Sequence, residues 1–122
     1  MSKLSHYLQA LNASDASPLS GIKRGMEKEA LRITPKGKLA QTPHPVSLGS
    51  ALTHPHITTD FSEALMEFIT PPCDSIAAML AWMDEIHRFT YQQIQKQDEL
   101  LWMASMPCVI EKGYNALVCQ IM

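Results

Sequence analysis

The chain has 122 residues, a formal net charge of −2 and 46% hydrophobic residues, which suits one small globular domain. The small net charge, with no basic run interleaved with aromatics, argues against nucleic acid or an anionic membrane as a partner. The three cysteines form no CxxC pair, the N-terminus lacks the apolar core of a signal peptide, and the longest apolar run is too short to cross a bilayer. A reduced, cytoplasmic location is expected.

The N-terminal segment carries apolar residues at helical spacing, which predicts an amphipathic helix over residues 3–12 with Ser2 as its cap. The four positions at i, i+3, i+4 and i+7 are Leu4, Tyr7, Leu8 and Leu11. A turn-rich linker over residues 12–20 follows.

The next segment, residues 21–33, has the pattern of a β-strand with two acids on one face. Alternate side chains of a strand point the same way, so Glu27 and Glu29 share a face with the apolar residues at 31 and 33. Two carboxylates about 7 Å apart on a partly buried face repel each other and resist dehydration, and a divalent cation such as Mg²⁺ would neutralise them. This segment alone favours a simpler interpretation, a solvated charged strand with Lys28 as the partner of the acids.

A β-turn is predicted at residues 34–37, where proline is second and glycine fourth. Residues 38–41 would return as a short antiparallel strand, and residues 42–55, with three prolines and a glycine, form a loop. At the end of that loop, His54 and His56 have a spacing that can hold a metal on one strand face, but the proline between them favours a loop.

The segment after the β-branched, strand-like residues 57–60 fits two structures. Asp60 followed by Glu63 imitates a capping box, which favours a helix, whereas alternation over residues 63–70 favours a strand. Glu63 and Glu67 share a face in either case. Two prolines end the element, and a long helix is then predicted from a cap at residue 74 or 75 to about residue 97, with a broad apolar stripe. Its seven stripe residues are Ile76, Met79, Leu80, Met83, Ile86, Phe89 and Ile94.

The acids therefore form two groups, one on residues 27–29 and one on residues 60–67. Two antiparallel strands could bring them together as a polynuclear Mg²⁺ or Mn²⁺ site, of the kind that handles nucleotide phosphates. Neither a GxxxxGK[ST] loop nor a GxGxxG fingerprint is present, so any ATP would be held by metals and by basic groups such as Lys23 and Arg24. The spacing supports no Ser-His-Asp or Cys-His arrangement, and no catalytic residue is assigned.

Several motifs carry a resemblance to the proteobacterial glutamate–cysteine ligases. The run over residues 21–32 resembles the first motif of that family, residues 48–54 and 57–71 resemble the second, and residues 105–108 resemble the third. Order and spacing agree from about residue 20 to 108, and the long second motif is highly specific.

The resemblance implies an ATP-dependent ligase that joins the γ-carboxylate of L-glutamate to L-cysteine through a γ-glutamyl phosphate, the first step of glutathione synthesis. It implies an α+β fold, an antiparallel sheet with packed helices, similar to part of the catalytic domain of glutamine synthetase. Residues 64–70 would be a strand. The implied Mg²⁺ or Mn²⁺ ligands are Glu27, Glu29, Asp60 and Glu67, and Phe61 would line the cysteine pocket.

The chain also departs from the family pattern. Family chains are several times longer, residues 116–120 only weakly echo the motif expected there, and Trp102 lacks its following proline. Residues 1–122 are therefore interpreted as the truncated N-terminal portion of one catalytic domain, inactive alone. The alternative is a non-catalytic remnant or a small divalent-metal-binding module.

Overall fold

The computed structural model describes residues 2–13 and 20–110, an α+β arrangement as expected. Most of the predicted linker over residues 12–20 and the weak motif at 116–120 lie outside the described residues. The helices are α1 (Lys3–Asn12) and α2 (Ile76–Ile94), the strands are β1 (Glu27–Ile33), β2 (Ile57–Thr59), β3 (Leu65–Ile69) and β4 (Leu100–Leu101), and short 3-10 turns span Val46–Leu48 and Gln95–Gln97.

The four strands form one antiparallel sheet in the order β2-β3-β1-β4. The ambiguous segment is therefore a strand over Leu65–Ile69, as the resemblance implied. β1 begins only at Glu27, later than predicted, and Arg24 forms an isolated bridge to Cys73. The ladder is interrupted there because Pro71 and Pro72, in the segment after β3 that runs opposite residues 24–26, have no N–H to donate.

The core lies between one face of the sheet and α2. The sheet contributes Ala30, Met66 and Phe68, and α2 contributes Met83 and Ile86, all buried. α2 starts as predicted, since the Ala78 N–H donates to the Oγ of the N-cap Ser75 at 3.1 Å, and it ends earlier than predicted, in the 3-10 turn.

The apolar stripe of α2 is only partly covered. Met79, Met83, Ile86 and Ile94 are buried, whereas Ile76, Leu80 and Phe89 are exposed. A sheet of four short strands covers one side of a 19-residue helix, so the full stripe does not reach the core.

The helix α1 has the predicted bounds and cap, with the Ser5 N–H donating to Ser2 Oγ at 3.2 Å. None of its residues is buried. Among the described residues, no helix combines the length and apolar character needed to cross a membrane.

The β-turn at residues 34–37 is present, with Gly37 at φ 74° and its N–H donating to the Thr34 carbonyl at 2.9 Å. The predicted strand at 38–41 is reduced to two isolated bridges, an antiparallel one from Leu39 to Ile33 and a parallel one from Lys38 to Val109. The Ala40 N–H still donates to the Arg32 carbonyl, but the pairing goes no further along β1 because the Arg32 N–H already donates to the Ala64 carbonyl just before β3.

Candidate functional site

Three acids lie on the face of the sheet opposite α2. In the antiparallel ladder Glu29 is paired with Glu67. Glu27 is paired with Ile69, two residues away along each strand and therefore on the same face. Paired residues of an antiparallel ladder point to the same side, so all three carboxylates project from one face. On the other neighbour of β3, Thr58 is paired with Glu67 and adds a hydroxyl to this acidic face.

Asp60 joins the acidic face from the end of β2. Burial raises the pKa of the Glu67 carboxyl, and the charges of Glu27, Asp60 and Glu29 raise it further. The other three acids named by the resemblance are thus within electrostatic reach of Glu67. The Glu67 carboxyl therefore resists ionisation.

Glu63, by contrast, does not belong with these acids. The expectation that it shares a face with Glu67 is wrong, because β3 starts only at Leu65 and Glu63 lies in the preceding turn. Its carboxylate accepts a hydrogen bond from the His44 N–H at 2.8 Å.

Phe61 occupies a strained position beside Asp60. Its φ of 49° lies in the left-handed region, which is rare for a bulky residue and persists only where the surroundings impose it. The Ser62 N–H closes a tight turn on the Asp60 carbonyl, and the Phe61 side chain is 80% exposed. An aromatic ring is thereby presented to solvent next to the acidic face.

The predicted partnership of Lys28 with the acids is wrong, because Lys28 lies on the opposite face of β1. Its Nζ is 2.9 Å from His87 Nε2, and His87 Nδ1 is 2.8 Å from the Met83 carbonyl. Nδ1 must donate to that carbonyl, so Nε2 accepts from Lys28. Burial lowers the pKa of the lysine.

The predicted phosphate-binding cations make other contacts. Lys23 Nζ is 3.8 Å from Asp74 Oδ1 at an exposed site, and Arg24 Nη1 reaches only the Ile22 carbonyl, at 3.5 Å. Neither contact places a cation on the acidic face.

The rings of the two loop histidines form hydrogen bonds with backbone groups. His54 Nδ1 accepts from the N–H groups of His56 and Ile57, at 3.1 and 2.9 Å. His56 Nδ1 donates to the Ile69 carbonyl at 2.9 Å. These bonds fix the entry into β2 and use one ring nitrogen of each histidine.

The donor set of the acidic face suits a hard cation. Its carboxylate oxygens are the ligands that Mg²⁺ and Mn²⁺ prefer. Within residues 2–13 and 20–110, no three His, Cys, Asp or Glu side chains cluster closely enough to hold one ion. Mg²⁺ is commonly held by one or two carboxylates together with substrate phosphates and water, and the acidic face fits that role.

A cleft of about 400 Å³ adjoins the acidic face at Glu29. The Trp102 N–H donates to the Leu31 carbonyl at 2.8 Å, and Trp102 Nε1 donates to the Met106 carbonyl at 2.6 Å. These bonds place residues 102–107, which include most of the third motif, along the cleft. Leu65 lines it from β3.

Sequence reasoning missed Arg32, whose side chain is completely buried and pairs with Glu99. The available signal was its position: Arg32 alternates with Ala30 on the core-facing side of a strand. A charged residue there needs a buried partner.

The fold and the acidic face define a class, an α+β sheet with carboxylates on one face and a helix on the other. The model of the glutamate-cysteine ligase family matches residues 8–121. The chain belongs to the glutamate–cysteine ligase family.

Curated relatives of the chain are also glutamate–cysteine ligases. The glutamate–cysteine ligase of Alcanivorax borkumensis is 56% identical over 110 residues, covering 90% of this chain and 21% of the relative. That of Saccharophagus degradans is 52% identical over 109 residues, covering 89% and 20%. The chain thus spans about a fifth of the length of the curated relatives it matches.

Two solved structures are similar. A glutamate–cysteine ligase from Francisella tularensis, in complex with AMP, matches with a TM-score of 0.62 and 40% identity over 73% of this chain and 18% of that one. A bifunctional glutathione synthetase from Pasteurella multocida matches with a TM-score of 0.74 and 34% identity over 79% of this chain and 13% of that one.

Proposed function

We propose that this chain supplies the carboxylate wall of an ATP-dependent ligase that joins the γ-carboxylate of L-glutamate to L-cysteine, the first step of glutathione synthesis. The observation that carries the proposal is the convergence of four acids on the open face of the sheet, where burial and then the charges of the other three acids raise the pKa of Glu67. Family membership supports the reaction, and the AMP bound to the Francisella relative supports a nucleotide substrate.

In this proposal Glu27, Glu29, Asp60 and Glu67 are ligands for Mg²⁺ or Mn²⁺. Such ions, when bound, screen the charges of triphosphate and carboxylate so that two anions can meet. The chain's own contribution is to hold three carboxylates on an antiparallel ladder and a fourth, that of Asp60, at the end of β2. The rigid face orients them before any ligand arrives.

The exposed ring of Phe61 forms part of the cysteine pocket in this proposal. Its left-handed backbone fixes the ring beside Asp60, so a substrate held by the ring would lie next to the metal ligands. The amine of cysteine would then attack a γ-glutamyl phosphate and displace phosphate. The enzyme would act in the cytoplasm, as the odd number of cysteines without a CxxC pair suggests.

A second candidate is a non-catalytic module that binds divalent metal only. The acidic face favours it, because one wall of carboxylates can bind a cation without assembling a nucleotide site. Both candidates require the acidic face to bind metal.

Titration of the purified chain with Mn²⁺, followed by electron paramagnetic resonance, tests that shared requirement. We expect weak binding that is reduced about tenfold or more in Glu67→Gln. Glu85→Gln is the matched control, since it removes the same charge from an exposed position on α2. Equal affinity in the two variants would contradict the assignment of the acidic face.

A further inference from the structure

The guanidinium of Arg32 ties three loops together beneath the sheet. It lies on the face opposite the acids, and its Nη1 donates to Glu99 Oε2 at 2.6 Å and Thr42 Oγ1 at 2.8 Å. Its Nη2 donates to the carbonyls of Thr42, Pro43 and Glu63, at 2.7, 3.2 and 3.0 Å. Only a planar fork with several N–H groups can satisfy this set of acceptors at once, and lysine cannot.

One of those acceptors, Glu63, is held at both ends. Its carbonyl accepts from Arg32, and its carboxylate accepts from the His44 N–H at 2.8 Å. The turn between β2 and β3 is therefore fixed at Glu63, two residues after the strained Phe61.

Backbone bonds hold the rest of the turn, among them those from the Ser62 N–H to the Asp60 carbonyl and from the Arg32 N–H to the Ala64 carbonyl. The Asp60 N–H donates to the Leu65 carbonyl at 3.1 Å, and the Leu65 N–H donates to the Ser62 carbonyl at 3.0 Å. A left-handed aromatic residue relaxes unless its neighbours are anchored, so the anchor at Glu63 keeps this turn in its observed shape.

We propose that Arg32 and Glu63 are positioning residues for the turn that presents Asp60 and Phe61. They touch neither metal nor substrate, and they act through the backbone of that turn. The consequence for ligand binding rests on the proposed function, whereas the effect on the turn itself does not.

Amide hydrogen exchange of the metal-free chain tests the positioning directly. In Glu63→Ala we expect the amides of Asp60 and Leu65 to exchange about tenfold faster, because the bond from His44 is lost. Glu63→Gln keeps a side-chain acceptor without the charge and should restore slow exchange. The Trp102 amide, bonded to the Leu31 carbonyl outside the turn, is the internal control for the fold.

Arg32→Lys probes the other anchor. It keeps a cation beside Glu99 but loses the fork, so the same two amides should exchange faster while Trp102 is unchanged. If Arg32→Lys disrupts the fold, the pair of Glu63 variants still decides the question. Unchanged exchange of Asp60 and Leu65 in Glu63→Ala would overturn the proposal.

Mn²⁺ affinity of the same chains tests the consequence for the site. Glu63→Ala should weaken binding about tenfold and Glu63→Gln less than twofold. In an Asp60→Asn background, Glu63→Ala should have no further effect, since the ligand that it positions is gone. A full additional loss in that background would overturn the link to Asp60. If the unaltered chain binds no Mn²⁺, the proposed function fails, and the exchange data alone decide the positioning.

Discussion

Glu29 and Glu67 face each other directly across the antiparallel ladder of β1 and β3. Side chains so paired have Cβ atoms about 4.5–5.5 Å apart, and like charges in that position destabilise a sheet. Lys28, the neighbouring cation in the sequence, points to the other face and contacts His87. The ladder thus holds an arrangement that costs stability and that a bound cation would relieve.

The first prediction is that Glu67→Gln stabilises the metal-free chain near neutral pH. The pKa of Glu67 is raised above its usual 4.5, so the folded state binds this proton more tightly than the unfolded state. Stability falls as pH rises through the interval between the unfolded and the raised folded pKa, and the penalty is complete above it. The advantage of the glutamine variant should therefore be present at pH 7 and vanish well below pH 4.5.

Thermal unfolding in a chelating buffer measures this effect. Glu85→Gln, the exposed charge control, should leave the midpoint nearly unchanged at either pH. A glutamine variant at position 67 that is less stable than the parent at pH 7 would show that the acidic face is not under repulsion.

The second prediction concerns competition between protons and metal. Because the raised pKa of Glu67 lets protons compete at higher pH than for an ordinary carboxylate, Mn²⁺ affinity should fall as the pH is lowered. In Glu67→Gln the remaining dependence should shift to lower pH. Isothermal titration calorimetry with Mn²⁺ at several pH values checks this, and a pH-independent Mn²⁺ affinity would contradict the role of Glu67.

Alternation in the sequence predicted which side chains of β1 share a face, because a half-buried strand has apolar residues at every second position on its buried side. It also placed Lys28 and Arg32 on the face opposite Glu27 and Glu29, but it could not predict that His87 is the partner of Lys28 or that Glu99 is the partner of Arg32. Arg32 and Glu99 are 67 positions apart, and only the return of the chain at β4 brings them together.

Glu63 shows the same limit at short range. Its spacing of four from Glu67 fits a helix and a strand equally well, but neither period applies once the chain turns at residues 60–64. The left-handed Phe61 that makes this turn possible has no local signal, since glycine or asparagine is the usual residue there.

The third prediction is that Glu99→Ala strongly destabilises the chain, by about 3–5 kcal/mol, because it leaves the buried guanidinium of Arg32 without its counter-charge. The control is Asp84→Ala, which removes an exposed partner of Arg88 and should cost no more than about 0.5 kcal/mol. Urea unfolding gives both values. A similar small loss in both variants would mean that the buried pair is not an anchor of the fold.

The fourth prediction uses the backbone strain at Phe61. Phe61→Gly should be more stable than Phe61→Ala by about 1 kcal/mol, because glycine adopts a positive φ without a steric penalty whereas alanine does not. At a relaxed, ordinary backbone position the order would be reversed. Chemical unfolding of the two variants distinguishes these cases, and alanine as the more stable residue would contradict a left-handed Phe61.

The last prediction is that the 122-residue chain does not make γ-glutamylcysteine by itself. Phosphoryl transfer requires the γ-phosphate, the acceptor carboxylate and the cations to be held from several sides. The described residues offer one wall of carboxylates, with Lys23 and Arg24 turned to other contacts. We expect no ATP- and cysteine-dependent release of phosphate above a Glu27→Gln control, even at Mg²⁺ concentrations that saturate the acidic face. Turnover clearly above that control would show that this one wall is enough for catalysis, and the expectation that the chain is inactive alone would be wrong.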